Sequence, residues 1–108
     1  MRLTIGGQRW RVFIVSPRSK HLVHEDGSRL VGRCVYTTCS IYLSRDLAPD
    51  VLEDTLLHEL FHATLYVTGA EEVYGASHAK EERFVAALTP AWHRLLKDLG
   101  FQFPKRAA

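Results

Sequence analysis

Cysteine is nearly absent from this chain, with only Cys34 and Cys39 in 108 residues. Two thiols are too few for a disulfide framework, and their spacing matches no usual zinc pattern. Buried reduced thiols are the expected state, with an opportunistic hairpin disulfide as the alternative. No run of 18 apolar residues occurs, so no segment reads as a membrane-spanning helix. The opening Met1-Arg2-Leu3-Thr4-Ile5-Gly6-Gly7 lacks the apolar core of a secretory signal, and a cytoplasmic location is expected. Internal repeats and low-complexity segments are missing too. A chain of 108 residues is expected to form one domain, 1–108, around a modest core.

Acidic residues are scarce in the first part of the chain. Residues 1–45 carry eight Lys/Arg against two acids, whereas residues 46–98 carry four against ten, although the whole chain is only +2. The basic half could face nucleic acid or an acidic protein. Such a run is more often a solvated face, so nucleic acid is not the expected partner.

What the acidic half contains is Thr55 to Thr68, with His58, Glu59 and His62 at its centre. On a helix, residues i and i+4 stack about 5–6 Å apart at Cβ. Two imidazoles so placed can converge on one Zn²⁺. Glu59 lies about 100° round the helix from His58, poorly placed to join the same ligand set but able to reach the open coordination position. This is the His-Glu-x-x-His arrangement, with glutamate as general base in a zinc hydrolase. Leu56, Leu57, Leu60, Phe61, Leu65 and Val67 flank it, and burying two imidazoles and a carboxylate without a partner is costly. The plainer reading is a core helix whose histidines bond to backbone carbonyls.

The rest of the chain reads as support for that helix. Arg2 to Ser16 alternates as a β-hairpin around Gly6-Gly7, and Ser16 to Ser28 is a polar, exposed loop holding surface histidines His21 and His24. Leu30 to Ser44 gives two further strands, with Gly32 marking a bulge. Pro49 opens the motif helix and Gly69 closes it. A second helix spans about Ala79 to Leu99, with Phe84, Val85, Leu88, Trp92, Leu95, Leu96 and Leu99 on one stripe and Pro90 kinking or dividing it. The fold class is α+β, a small antiparallel sheet of three or four strands packed on two main helices.

A catalytic zinc site has three protein ligands and an open position. The third is expected from the second helix or the linker before it. Candidates are Glu81, Glu82 and His78, with Glu71, Glu72 and His93 behind them. Glu81 points closest to the centre of the apolar stripe and Glu82 lies about 100° to one side, so geometry leaves the choice open.

Leu56-Leu57-His58-Glu59-Leu60-Phe61-His62-Ala63, then Glu81-Glu82-Arg83-Phe84-Val85-Ala86-Ala87-Leu88 and Leu95-Leu96-Lys97-Asp98, resembles small phage-type gluzincin-like metallopeptidases related to the ImmA/IrrE-type proteases. The resemblance covers about residues 30–99. It implies a minimal zincin-like metallopeptidase domain binding Zn²⁺ through His58, His62 and Glu82, with Glu59 catalytic and a peptide or protein as substrate. Ala86 stands where that group usually has Asn or Asp, so this chain lacks at that position the side chain that orients the ligand glutamate in that group. Leu57 to Thr68 also resembles the SprT-like proteases that act on DNA–protein crosslinks. Those use a third histidine at a distance like that of His78, but their Gly-Pro-Glu-Phe continuation is replaced here by Ala79-Lys80-Glu81-Glu82. Tyr66, His78 and Tyr74 are candidate oxyanion stabilisers, and a strand of the 30–44 pair could bind an extended peptide at its edge. A different class of function is a non-catalytic zinc-binding interaction module.

Overall fold

In the computed structural model, residues 1–70 and 77–104 are described. Four strands, β1 (Arg2–Ile5), β2 (Gln8–Val15), β3 (Gly32–Val35) and β4 (Ser40–Ser44), form one sheet in the order β1-β2-β4-β3. Two main helices follow, α1 (Pro49–Thr68) and α2 (His78–Asp98). This is the expected α+β arrangement. The β1–β2 hairpin turns at Gly6 and Gly7, both at positive φ, as a two-residue turn requires.

The sheet is mixed rather than wholly antiparallel. β1–β2 and β3–β4 pair antiparallel, but the central β2 and β4 run parallel, with Val12 opposite Ile41 and Ile14 opposite Leu43. After β2 the chain crosses to the far edge, lays down β3, and returns inside it as β4. Turn signals reveal local hairpins, whereas a parallel pair needs a longer crossover that leaves no local mark. That crossover is not simply an exposed loop. A 3₁₀ turn at Lys20–Leu22, capped by the Ser19 hydroxyl, buries Leu22 completely.

Alternation along the strands sends Trp10, Val12, Ile41 and Leu43 to one face, where they meet Leu52, Leu56 and Ala63 of α1. Fully burying each large apolar side chain is worth about 1.5–3 kcal/mol, so this layer is what fixes α1 on the sheet. α2 then packs against α1, with Val85 fully buried.

Two positions behave differently from their sequence signals. Gly32 pairs regularly with Leu43 and forms no bulge. A Cβ there would sit 2.5 Å from Thr55 Cγ2 and 3.5 Å from Glu59 Cγ, so the glycine permits β3 to lie close against α1. Pro90 sits inside α2 without dividing it. Its ring lacks an N–H, so the helix loses one backbone bond but continues to Asp98.

Candidate metal centre

Ala48 precedes Pro49 at the start of α1, and the helix ends at Gly69 in the left-handed conformation. One helical turn separates His58 from His62, and their ring centroids lie 5.0 Å apart. α2 begins with Ser77, whose hydroxyl accepts from the Lys80 amide. This cap sets the first turn of α2 against α1, so that Glu81 and Glu82 both meet the histidines.

The two glutamates meet them differently. Glu82 Oε1 lies 3.0 Å from His58 Nε2 and Glu82 Oε2 lies 2.9 Å from His62 Nε2. One ligand atom from each of these three side chains falls within 4.8 Å of the others, a group that could hold a metal ion. Glu81 instead approaches His62 from behind, its Oε2 2.7 Å from Nδ1, and both groups are buried. With an ionised Glu81, Nδ1–H donates and Nε2 carries the lone pair. An imidazole lone pair 2.9 Å from a carboxylate oxygen needs a proton or a cation between them. Two imidazole nitrogens and a carboxylate oxygen are also a normal donor set for Zn²⁺, so the residues present fit that ion.

Glu59 lies beside the group and is buried. Its Oε2 has no hydrogen-bond partner, an uncommon state for a buried carboxylate. Burial pushes its pKa up to about 7; His62 opposes the rise and Glu82 adds to it. A carboxyl group poised near neutrality is suited to accept and return a proton. Cys34 of β3 is a free half-buried thiol, raised above its ordinary pKa by burial and then by Glu59 and Glu81.

His58, Glu59, His62, Glu82 and Cys34 line a cleft of about 580 Å³ between β3 and the two helices, which also includes Gly32, Arg33, Tyr36 and Thr55. His24 and His78 lie on its wall. His78 is exposed on the first turn of α2, outside the group formed by His58, His62 and Glu82. His93 is not near the centre, because it bonds to Glu53 at the other end of the helix pair. Tyr66 stacks on Tyr36 with centroids 4.6 Å apart, and of these two rings it is Tyr36 that lines the cleft. Glu71, Glu72 and Tyr74 lie outside the described residues. Sequence reasoning missed the roles of Glu81, Tyr36 and Gly32. A stripe-centred glutamate beside a ligand candidate was the available signal for the first.

A sheet backing a helix that carries His-Glu-x-x-His, with a second helix closing the cleft, defines a zincin-like domain. The chain belongs to the SprT-like family, whose family model matches residues 11–101. That match supports the zincin class and does not extend to the ImmA/IrrE-related group. No curated protein and no solved structure matches the chain significantly.

Proposed function

We propose that the protein is a zinc-dependent metalloendopeptidase in which His58, His62 and Glu82 hold the metal and Glu59 is the general base. The observation that carries this reading is the convergence of both Nε2 atoms on the Glu82 carboxylate, beside a buried Glu59 with an unpartnered oxygen. Zinc bound there supplies a Lewis acid for the peptide carbonyl and an acidified water. Glu59 takes a proton at its carboxylate and returns it to the leaving amine, a role supported by its raised pKa. Glu81 holds His62 in the tautomer that keeps Nε2 available. β3 is an outer strand of the sheet and borders the cleft, so an extended peptide can add to its edge.

The family match favours a second reading, in which His78 is the third ligand and the protein acts as SprT-like proteases do. Zinc content and cleavage of an unfolded protein substrate, measured in parallel on wild type, Glu82→Ala and His78→Ala, decide between them. The first reading expects Glu82→Ala to lose zinc and His78→Ala to keep it. The reverse pattern establishes the second. A wild type that binds zinc fully yet cleaves nothing overturns both in favour of an interaction module.

A further inference from the structure

α2 packs mainly against α1, and the face it turns there buries Val85 and Thr89. A second apolar stripe runs along α2 about a quarter-turn round from that face. Phe84, Leu88, Ala91, Trp92, Leu95 and Leu99 compose it, and no charged residue interrupts it. Phe84 is 49% exposed, Trp92 42%, Leu95 45% and Leu99 73%, while Leu88 is half-buried. At about 200 Å² for a whole side chain of this size, the four exposed ones leave roughly 400 Å² open to solvent. A contiguous apolar patch of that extent is often a contact surface.

The charges beside the stripe point to the kind of partner. Lys80 and Asp98 stand about five full helical turns apart, so they share one bearing at the edge of the stripe. Each sits at the helix end that its charge disfavours, Lys80 in the first turn and Asp98 at the last residue. Among the described residues Lys80 forms no ion pair, and the pair formed by Asp98 is the exposed one with Arg94. A second α2 running antiparallel, about an axis between Thr89 and Pro90, reverses both faults. Lys80 then lies beside Asp98 of the second copy, within about 2 Å along the axis, and symmetry repeats the contact. In the same register Phe84 meets Leu95 and Leu88 meets Ala91, so apolar side chains face one another along the stripe. An anionic surface would gain from Lys80 but be repelled by Asp98.

We infer that the protein forms an antiparallel homodimer through this stripe of α2, with Lys80 of each copy paired to Asp98 of the other. The four exposed side chains alone bury roughly 800 Å² in the pair. Leu88, Ala91 and the lysine stems bring that to about 1,000 Å², the size of a weak but specific interface. Glu82 lies about 120° round α2 from Leu88, so the pairing leaves the metal centre open. The inference therefore does not rest on the peptidase reading.

Sedimentation of the full chain from about 5 to 500 µM tests it, since an interface of this size dissociates in the micromolar range. The average mass should rise with concentration from one chain towards two. Lys80→Glu and Asp98→Lys should each weaken association about tenfold, although both changes suit the helix dipole. The double variant Lys80→Glu/Asp98→Lys should return it to within about threefold of wild type, because the pair is remade with its signs exchanged. Leu95→Glu, with its fold checked by circular dichroism, should stay monomeric. If that variant fails to fold, the charge exchange still decides. Three results would each overturn the inference: a wild type that is monomeric at the highest concentration, full association of a folded Leu95→Glu, or no recovery in the double variant. None of these readings needs zinc or cleavage, so loss of either in a dimeric wild type would count against the metallopeptidase reading alone.

Discussion

Both ends of the α1–α2 pair join histidine to glutamate, and the two ends are balanced in opposite ways. At the end nearest β3, the imidazoles of His58 and His62 face the carboxylates of Glu59, Glu81 and Glu82. Among the described residues no Lys or Arg forms an ion pair with any of them. At the far end His93 Nε2 lies 3.0 Å from Glu53 Oε1, and Lys97 Nζ lies 2.8 Å from the same oxygen. Lys97 also sits over the Phe103 ring. Burial alone would raise Glu53, but hydrogen bonds from Lys97 and His93 outweigh it and hold its pKa below the ordinary value. Glu59 has no such donors, and burial carries it upward to about 7. A cation within the chain balances one end, while the other has the charge excess that a divalent ion would offset. Clustering of histidine and carboxylate therefore does not by itself mark a metal centre; the local charge balance does.

The comparison breaks most sharply at Glu59. Glu59→Gln should lower peptide cleavage by about 10²- to 10⁴-fold, as loss of a general base does. Zinc content, measured on the same preparation, should be unchanged; loss of the metal would make Glu59 a ligand. Glu53→Gln should leave both readings intact.

The next effect concerns pH and is read on chelator-treated protein. The folded pKa of Glu59 is raised above its unfolded value of 4.5 to about 7. The native state then holds its proton more tightly than the unfolded chain. Stability from this group is present below the unfolded pKa and is lost as pH rises through about 7, a loss on the order of 3 kcal/mol. Thermal melts at pH 5 and pH 8 should show that fall in wild type and a smaller one in Glu59→Gln. Glu53 has the opposite sign, because its folded pKa is lowered. Its contribution is present at neutral pH and is lost as pH falls through the acidic carboxylate range.

A smaller effect is expected at Glu81. Glu81→Gln keeps the shape but removes the charge that orients His62, and zinc affinity should drop about 10- to 100-fold. Competition with a chromogenic chelator measures it. An affinity equal to wild type would reduce Glu81 to packing. The smallest change belongs to the balanced end, where Glu53→Gln should cost about 0.5 kcal/mol in denaturant unfolding at neutral pH.

The elements that could be read from sequence are those whose causes are local. Gly6-Gly7, Pro49 and Gly69 announce their turns and helix ends through backbone preference, and each lies where that preference requires. His58 and His62 share a face because four residues make slightly more than one helical turn. The parallel β2–β4 pair and the buried Leu22 were not legible, since both depend on contacts between segments distant in the chain. Cys34 and Cys39 remain free thiols, as their low number suggested.

Sequence by itself determined the motif helix, the two-layer α+β plan and the pairing of histidines with a neighbouring glutamate. Helical period and binary pattern are enough for these, because each is fixed within a few residues. Only the tertiary structure decided that Glu82 meets both Nε2 atoms while Glu81 holds Nδ1 of His62. These two glutamates are adjacent and identical in chemistry. What separates them is the angle at which α2 crosses α1, and that angle is set by core packing across the whole domain.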